Sequence, residues 1–203
     1  MSIEPYASLE ELQAHIDATG GVSWQAADVT NMQTALDAAT LWIDERMHTR
    51  YRAIAETRHY SARWRDLLHV DDLTALTELA TDEDGDGVCE TVWAATDYVL
   101  EPFNAPQSGH PYRQIRIKPS GAQTFTVSAE PTVAVTGDFG YSVTPPASIR
   151  QACLILAHRL WLRKDAVFGV VGTPGLGVTV VQAQISADAD VVALLDGVNR
   201  RHV

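Results

Sequence analysis

The chain has 203 residues, 46 % of them hydrophobic and 20 % charged, which suits a folded protein and excludes wholesale disorder. Its formal net charge of −11 argues against a protein that grips phosphate backbones over a broad surface, though not against DNA passing close by. The apolar runs are too short or too interrupted to span a bilayer, and no basic-then-apolar leader opens the sequence, so a soluble protein made in a cytoplasm is expected.

In chain order, Ser8-Leu-Glu-Glu11 has the form of a capping box, in which the serine bonds forward and the glutamate reaches back. Leu9, Leu12 and Ile16 then share a face and Gly20-Gly21 ends the helix, which reads as a lid or brace. A second helix is expected over about 26–48, with Val29, Met32, Leu36, Ala39, Ile43 and Met47 at helical spacing. Ala35, Ala38 and Trp42 widen its apolar stripe, which predicts cover on both sides.

Between Arg58 and Tyr141 short apolar runs broken by turn residues predict β structure. The candidate strands are 58–61, 67–70, 75–79, 88–93, 98–100, 114–118, 124–128 and 131–136, with Pro119-Ser-Gly121 as a hairpin turn. Residues 101–112, rich in proline, read as a loop. A glycine-flanked turn is expected at Gly137–Gly140, followed by Pro145-Pro146 and a long helix to about residue 165. Pro146 suits the first helical position, where a missing N–H costs nothing. Ile149, Ala152, Cys153, Leu156, Ala157 and Leu160 mark its buried face, for which the 26–48 helix is the best partner. A glycine-rich loop at 169–177, a strand at 178–185 and a short amphipathic helix at 188–198 complete the chain. The loop lacks the Gly-Lys-Ser/Thr of a phosphate cradle and precedes a strand, so it reads as a connector. The terminal helix either folds back or docks elsewhere.

Three clusters carry candidate chemistry. Asp82, Asp84 and Asp86 followed by Gly87 match the opening of a calcium loop, with Glu90 as a further ligand. The match fails at the twelfth position, Trp93, and a solvated turn closed by Asp-Gly explains the same residues. Arg50, Tyr51, Arg52, Tyr60, Arg63 and Trp64, with Arg58 and Arg65 among them, form a basic-aromatic patch. Such interleaving suits single-stranded nucleic acid or a subunit interface, and the acidic balance of the chain favours the interface. The two cysteines, Cys89 and Cys153, carry no redox or zinc spacing, and Cys153 reads as a small buried thiol. The histidines are dispersed, no serine sits in a nucleophile elbow, and Asp71-Asp72 would point apart, so no enzyme is expected.

Several stretches together resemble the head–tail connectors (adaptors) of tailed phages. The helix Leu36-Asp-Ala-Ala-Thr-Leu-Trp-Ile-Asp-Glu-Arg46 looks like the one preceding that family's small β module. Thr77–Gly87, Trp93 and Asp97-Tyr-Val-Leu-Glu-Pro102 are similar to the module's middle. Thr136-Gly-Asp-Phe-Gly-Tyr141, Pro145-Pro146 and Ile149-Arg-Gln-Ala152 resemble its strand–turn–helix junction most closely. The likeness covers about residues 26–165 and rests on order and spacing, since each motif is short.

The resemblance implies a structural protein of the virion neck, made in the host cytoplasm, forming a twelve-fold ring around a channel through which DNA slides without sequence-specific binding. The ring would bind the portal protein above and a downstream neck, stopper or tail protein below, with no membrane partner. Portal contact would fall on Val191, Leu194, Leu195, Val198, Arg200 and Arg201. The expected fold is α+β: a helical bundle from the helices near 26–48 and 146–165, an inserted antiparallel β module, and a C-terminal strand with a docking helix. The expected divisions are 1–56, 57–141, 142–166 and 167–203. Two other readings stand beside it: a calcium-dependent binding module using residues 82–90, and a neck or tail-completion protein that does not touch the portal. No cofactor is expected beyond that calcium.

Overall fold

The computed structural model describes residues 4–19, 23–163 and 189–199. In chain order the elements are α1 (Leu9–Thr19), α2 (Val29–Met47), β1 (Ile54–Tyr60), β2 (Leu67–Thr81), β3 (Thr91–Val92), β4 (Tyr98–Glu101), α3 (Ala105–Ser108), β5 (Tyr112–Ile117), β6 (Val133–Phe139), α4 (Ala147–Leu162) and α5 (Ala189–Asn199). The fold is mixed α+β. It divides into a helical unit, up to His48 and again from Pro146, and a sheet unit over Thr49–Pro145. Among the described residues no helix is long and apolar enough to cross a membrane.

The helical unit is arranged around α4, which packs against α1, α2 and α5. Ile149, Ala152, Cys153, Leu156 and Ala157 are buried as the three- and four-residue spacing predicts, and α2 presents Met32, Leu36, Ala39 and Ile43. Pro146 caps the helix from outside, with ψ 147°, so α4 starts at Ala147, and it ends at Leu162 because Arg163 caps it. The α2 region opens with a tight turn at Ala26–Asp28, and the helix proper begins at Val29. Cover on both sides of α2 is not observed: Ala38 and Leu41 are exposed, and Arg46 lies over the Trp42 ring.

The capping box of α1 forms as expected. The Ser8 amide donates to Glu11 Oε2 at 2.8 Å, and the Glu11 amide to Ser8 Oγ at 3.1 Å. The helix is a core element rather than a brace, because Leu12 and Ile16 are fully buried. Its residues Glu11 and His15 face α4, the first pairing with Arg150 at 3.4 Å and the second meeting His158 edge-on at 5.4 Å. Burial, then the His15 and Arg159 charges, push His158 below its ordinary value of 6.5. The unfolded chain therefore binds the proton first, and this histidine's contribution to stability is lost as pH falls below about 6.5. Melting the wild type and His158→Gln across pH 5 to 8 should show a downward slope on the acid side that the variant flattens.

The sheet is antiparallel with the order β1-β6-β2-β5-β4, and β3 pairs with the end of β2. One face carries the core: Leu68, Leu73, Leu79, Ile115, Val133, Val135 and Phe139, closed over by Trp93 and Phe125. β6 lies inside the sheet, between β1 and β2, and alternates buried and half-buried residues along its whole length.

The expected strand list needs correction at several points. Residues 67–70 and 75–79 belong to one 15-residue strand, β2, which pairs β5 through its first half and β6 through its second. Asp71 and Asp72 lie within this strand and point apart as expected, to Arg58 and Arg113. Residues 124–128 form only one bridge, Ala62 to Val127, so the Pro119–Gly121 turn joins no ladder of its own. Of residues 88–93 only Thr91 and Val92 are in strand. The turn expected at Gly137–Gly140 gives way to strand through Phe139. The predicted loop 169–177 and strand 178–185 lie outside the described residues.

Candidate functional site

The three sequence clusters fall on three separate places. The acidic loop connects β2 to β3, whose register pairs Thr81 with Thr91. Asp82 is almost fully buried, and its two oxygens accept the amides of Gly85 at 2.6 Å and Gly87 at 2.9 Å. Those bonds, Gly87's first, hold its carboxyl below the usual carboxylate range. Both glycines sit at positive φ, 79° and 90°, which is why the turn needs Asp-Gly twice. Asp84 and Asp86 accept the amides two residues on, from Asp86 and Val88. The ligand oxygens of Asp82, Asp84, Asp86 and Glu90 nevertheless lie within 4.8 Å of one another.

The basic-aromatic patch is split by burial. Tyr51 is fully buried against Tyr141, ring centroids 5.4 Å apart, so its ring is not a surface for another subunit. The apolar interior that takes this ring was not visible from its neighbours Arg50 and Arg52. Arg50 pairs with Glu56 at 2.9 Å, and Arg52 is half-buried, which lowers its affinity for the proton. Tyr60 is also half-buried, and its hydroxyl donates to Asp71 at 3.0 Å. Burial pushes that phenol up to about 12. Of this patch only Arg63, Trp64 and Arg65 are exposed, in the loop from β1 to β2. The Trp64 ring meets His69 at 5.2 Å, and Ser61, Arg63, Trp64 and His69 line an open recess.

The terminal helix α5 packs on α4. Val191, Leu195 and Val198 are buried there and Leu194 is half-buried, so of the two expectations for this helix, folding back or docking elsewhere, it folds back onto α4. Arg200 and Arg201 lie outside the described residues. Leu195→Ala should cost about 2–3 kcal/mol and expose the C-terminal segment to limited proteolysis. Unchanged cleavage would show that α5 is held by something other than this face.

Sequence reasoning missed two kinds of residue. Trp93 and Phe125, far apart in the chain, stack at 4.7 Å, and only the fold brings them together. Phe103 is 73 % exposed in the loop after β4, where its place among prolines was the available signal.

No protein-family model matches the chain, and none of the curated proteins matches it. Solved structures do. A chain from the virion of a native gene transfer agent (GTA) particle superposes with a TM-score of 0.62 at 20 % identity, over 97 % of this chain and 92 % of that one. A chain from the neck of an empty GTA particle, computed with C6 symmetry, gives 0.58 at 19 % identity, over 86 % and 87 %. A chain from the neck of a native GTA particle, computed with C12 symmetry, gives 0.54 at 17 %, over 97 % and 94 %. At these identities the likeness is one of fold.

Proposed function

We propose that this chain is a structural protein of a phage-like virion neck, a ring-forming connector that joins the portal to the next neck or tail protein around the DNA channel. The observation that carries the reading is a fold shared along most of both chains with proteins of the GTA neck and virion. The connector-like order of motifs over residues 26–165 agrees with it independently. The role is mechanical, and the acidic balance suits a channel in which DNA slides without being held.

On this reading copies of the chain form a twelve-fold ring, and each C-terminal segment engages the portal through Val191, Leu194, Leu195, Val198, Arg200 and Arg201. Because α5 covers its apolar face against α4, portal engagement exchanges one packed partner for another. The free energy of binding is then the difference between two apolar contacts, which keeps the unassembled chain soluble.

Native mass spectrometry of the full chain with and without the portal protein of its own particle tests this. A discrete ring-sized complex that depends on the portal and is lost on deleting residues 186–203 is expected. A chain that ignores the portal under all conditions would remove portal joining and leave the reading of another neck or tail-completion protein.

A second reading, cation binding at the acidic loop, draws on the convergence of four carboxylates within 4.8 Å. Against it, the loop closes on its own amides. If calcium binds, the melting temperature rises with added calcium and the rise disappears in Asp84→Ala. If the loop is a self-capped turn, calcium leaves melting unchanged.

A further inference from the structure

Most arginines of the sheet unit are satisfied within the chain. Arg50, Arg58, Arg113 and Arg116 each hold a carboxylate. Arg63 and Arg65 hold none among the described residues, in a protein whose formal charge is −11. They flank Trp64, which is 48 % exposed, beside the recess formed with His69. Unpaired arginines around an exposed tryptophan have the composition of an interface anchor.

The complementary chemistry lies at the other end of the same 15-residue strand. The patch precedes β2 and the Asp82–Glu90 loop follows it. Among the described residues no lysine or arginine pairs with that loop. Asp82 is occupied by its own backbone amides, which leaves Glu83, Asp84 and Glu90 facing solvent. Two valines beside them are unusually bare, Val88 at 59 % and Val92 at 58 % exposure. One end of the strand thus offers cations around an apolar ring, and the other offers anions around apolar side chains.

We infer that the Arg63–Trp64–Arg65 patch of one copy receives the Asp82–Glu90 loop of a second copy, head to tail. The occupant follows from charge. A symmetric contact through either surface alone would set like charges against each other, whereas patch against loop pairs opposite ones. Because the two surfaces differ and sit at opposite ends of one element, the contact is heterologous and each copy both gives and receives. Repeated contacts of that kind close into a ring or run on as a filament. The inference deepens the connector reading by naming the contact that builds the ring.

Sedimentation velocity on the full chain tests it with two double variants, Arg63→Glu with Arg65→Glu, and Glu83→Lys with Asp84→Lys. All four positions are exposed, so circular dichroism should find both variants folded. Without the portal, wild type should self-associate reversibly at high concentration, short of the discrete ring that the portal templates, and more weakly as salt rises and the Debye length shrinks below about 10 Å. Each variant alone should associate at least ~100-fold more weakly, because like charges then meet. An equimolar mixture should recover association, since the reversed patch of one variant matches the reversed loop of the other, and the native loop of the first still matches the native patch of the second. Variants that associate like wild type, a mixture that fails to recover, or a wild type that stays monomeric at every concentration would each overturn the inference. So would a single-stranded oligonucleotide that binds the patch while the arginine reversal leaves self-association intact. Variants that still assemble on the portal like wild type would overturn this contact and leave the neck reading standing.

Discussion

Gly137→Ala is expected to lower the stability of the protein by at least ~3 kcal/mol, among the largest effects available to so small a change. Gly137 lies inside β6, opposite Glu56 on one side and Leu76 on the other. The register of β2 shifts between Leu73 and Ala75 and again between Leu76 and Glu78. The irregular β2 backbone comes so close to β6 that a Cβ at position 137 would stand 2.2 Å from the Ala75 carbonyl oxygen. A flexible side chain could turn away from that clash, but a carbonyl tied into the sheet cannot. Relief must come from separating β6 from β2, the central pairing of the sheet. Urea unfolding of wild type and variant measures the cost, and a midpoint within error of wild type would mean that β2 does not approach this closely.

Trp93→Ala should cost about 3–5 kcal/mol for different reasons. The Trp93 ring is buried, stacks on Phe125 at 4.7 Å with the planes 20° apart, and donates its Nε1–H to Thr81 Oγ1 at 2.9 Å. Truncation removes apolar burial, opens a cavity beside Phe125, and leaves the buried Thr81 hydroxyl without its indole donor. Phe125 belongs to a segment joined to the rest by single bonds, including its own amide to the Arg65 carbonyl at 3.0 Å, so it depends on this stack for its place. Trp64→Ala is the internal control. That ring is 48 % exposed, and its loss should cost under about 1 kcal/mol of stability while weakening self-association. If the two tryptophans cost the same, the division into core and contact surface is wrong.

These two tryptophans also mark what the sequence made legible. Helical periodicity identified α2 and α4 and named each as the other's partner, because one apolar stripe can only be buried by another. The capping box at Ser8 and Glu11 was readable for a similar reason, since both its bonds run within four residues. Strand pairing was harder. Residues 67–70 and 75–79 read as two strands, because carboxylates such as Asp71 and Asp72 within a strand are satisfied only by partners elsewhere, here Arg58 and Arg113. Phe125 and Val127 alternate like a strand, yet only Phe125 is buried, and Val127 remains 54 % exposed. Gly137 read as a turn because glycine usually serves backbone freedom, whereas here it serves a close approach.

The candidate surfaces divide along the same line. The carboxylates of the 82–90 loop were visible as a motif, and the local Asp-Gly spacing already implied a self-closed turn. The basic-aromatic patch was visible only as composition. Which arginines are paired, and that Tyr51 is interior while Trp64 is not, depend on which acid or apolar wall the fold delivers. The apolar face of α5 was legible as a face but not as one already covered, because nothing in residues 189–199 names α4 as its partner.

The most direct measurement is a cryo-electron microscopy reconstruction of the neck of particles assembled with this chain, without imposed symmetry. The connector reading predicts a closed ring of copies around the central channel, between the capsid vertex and the tail, with the folds of the helical and sheet units recognisable in every copy. A neck whose density is fully explained by other chains, with this one elsewhere in the particle or missing from it, would contradict that reading.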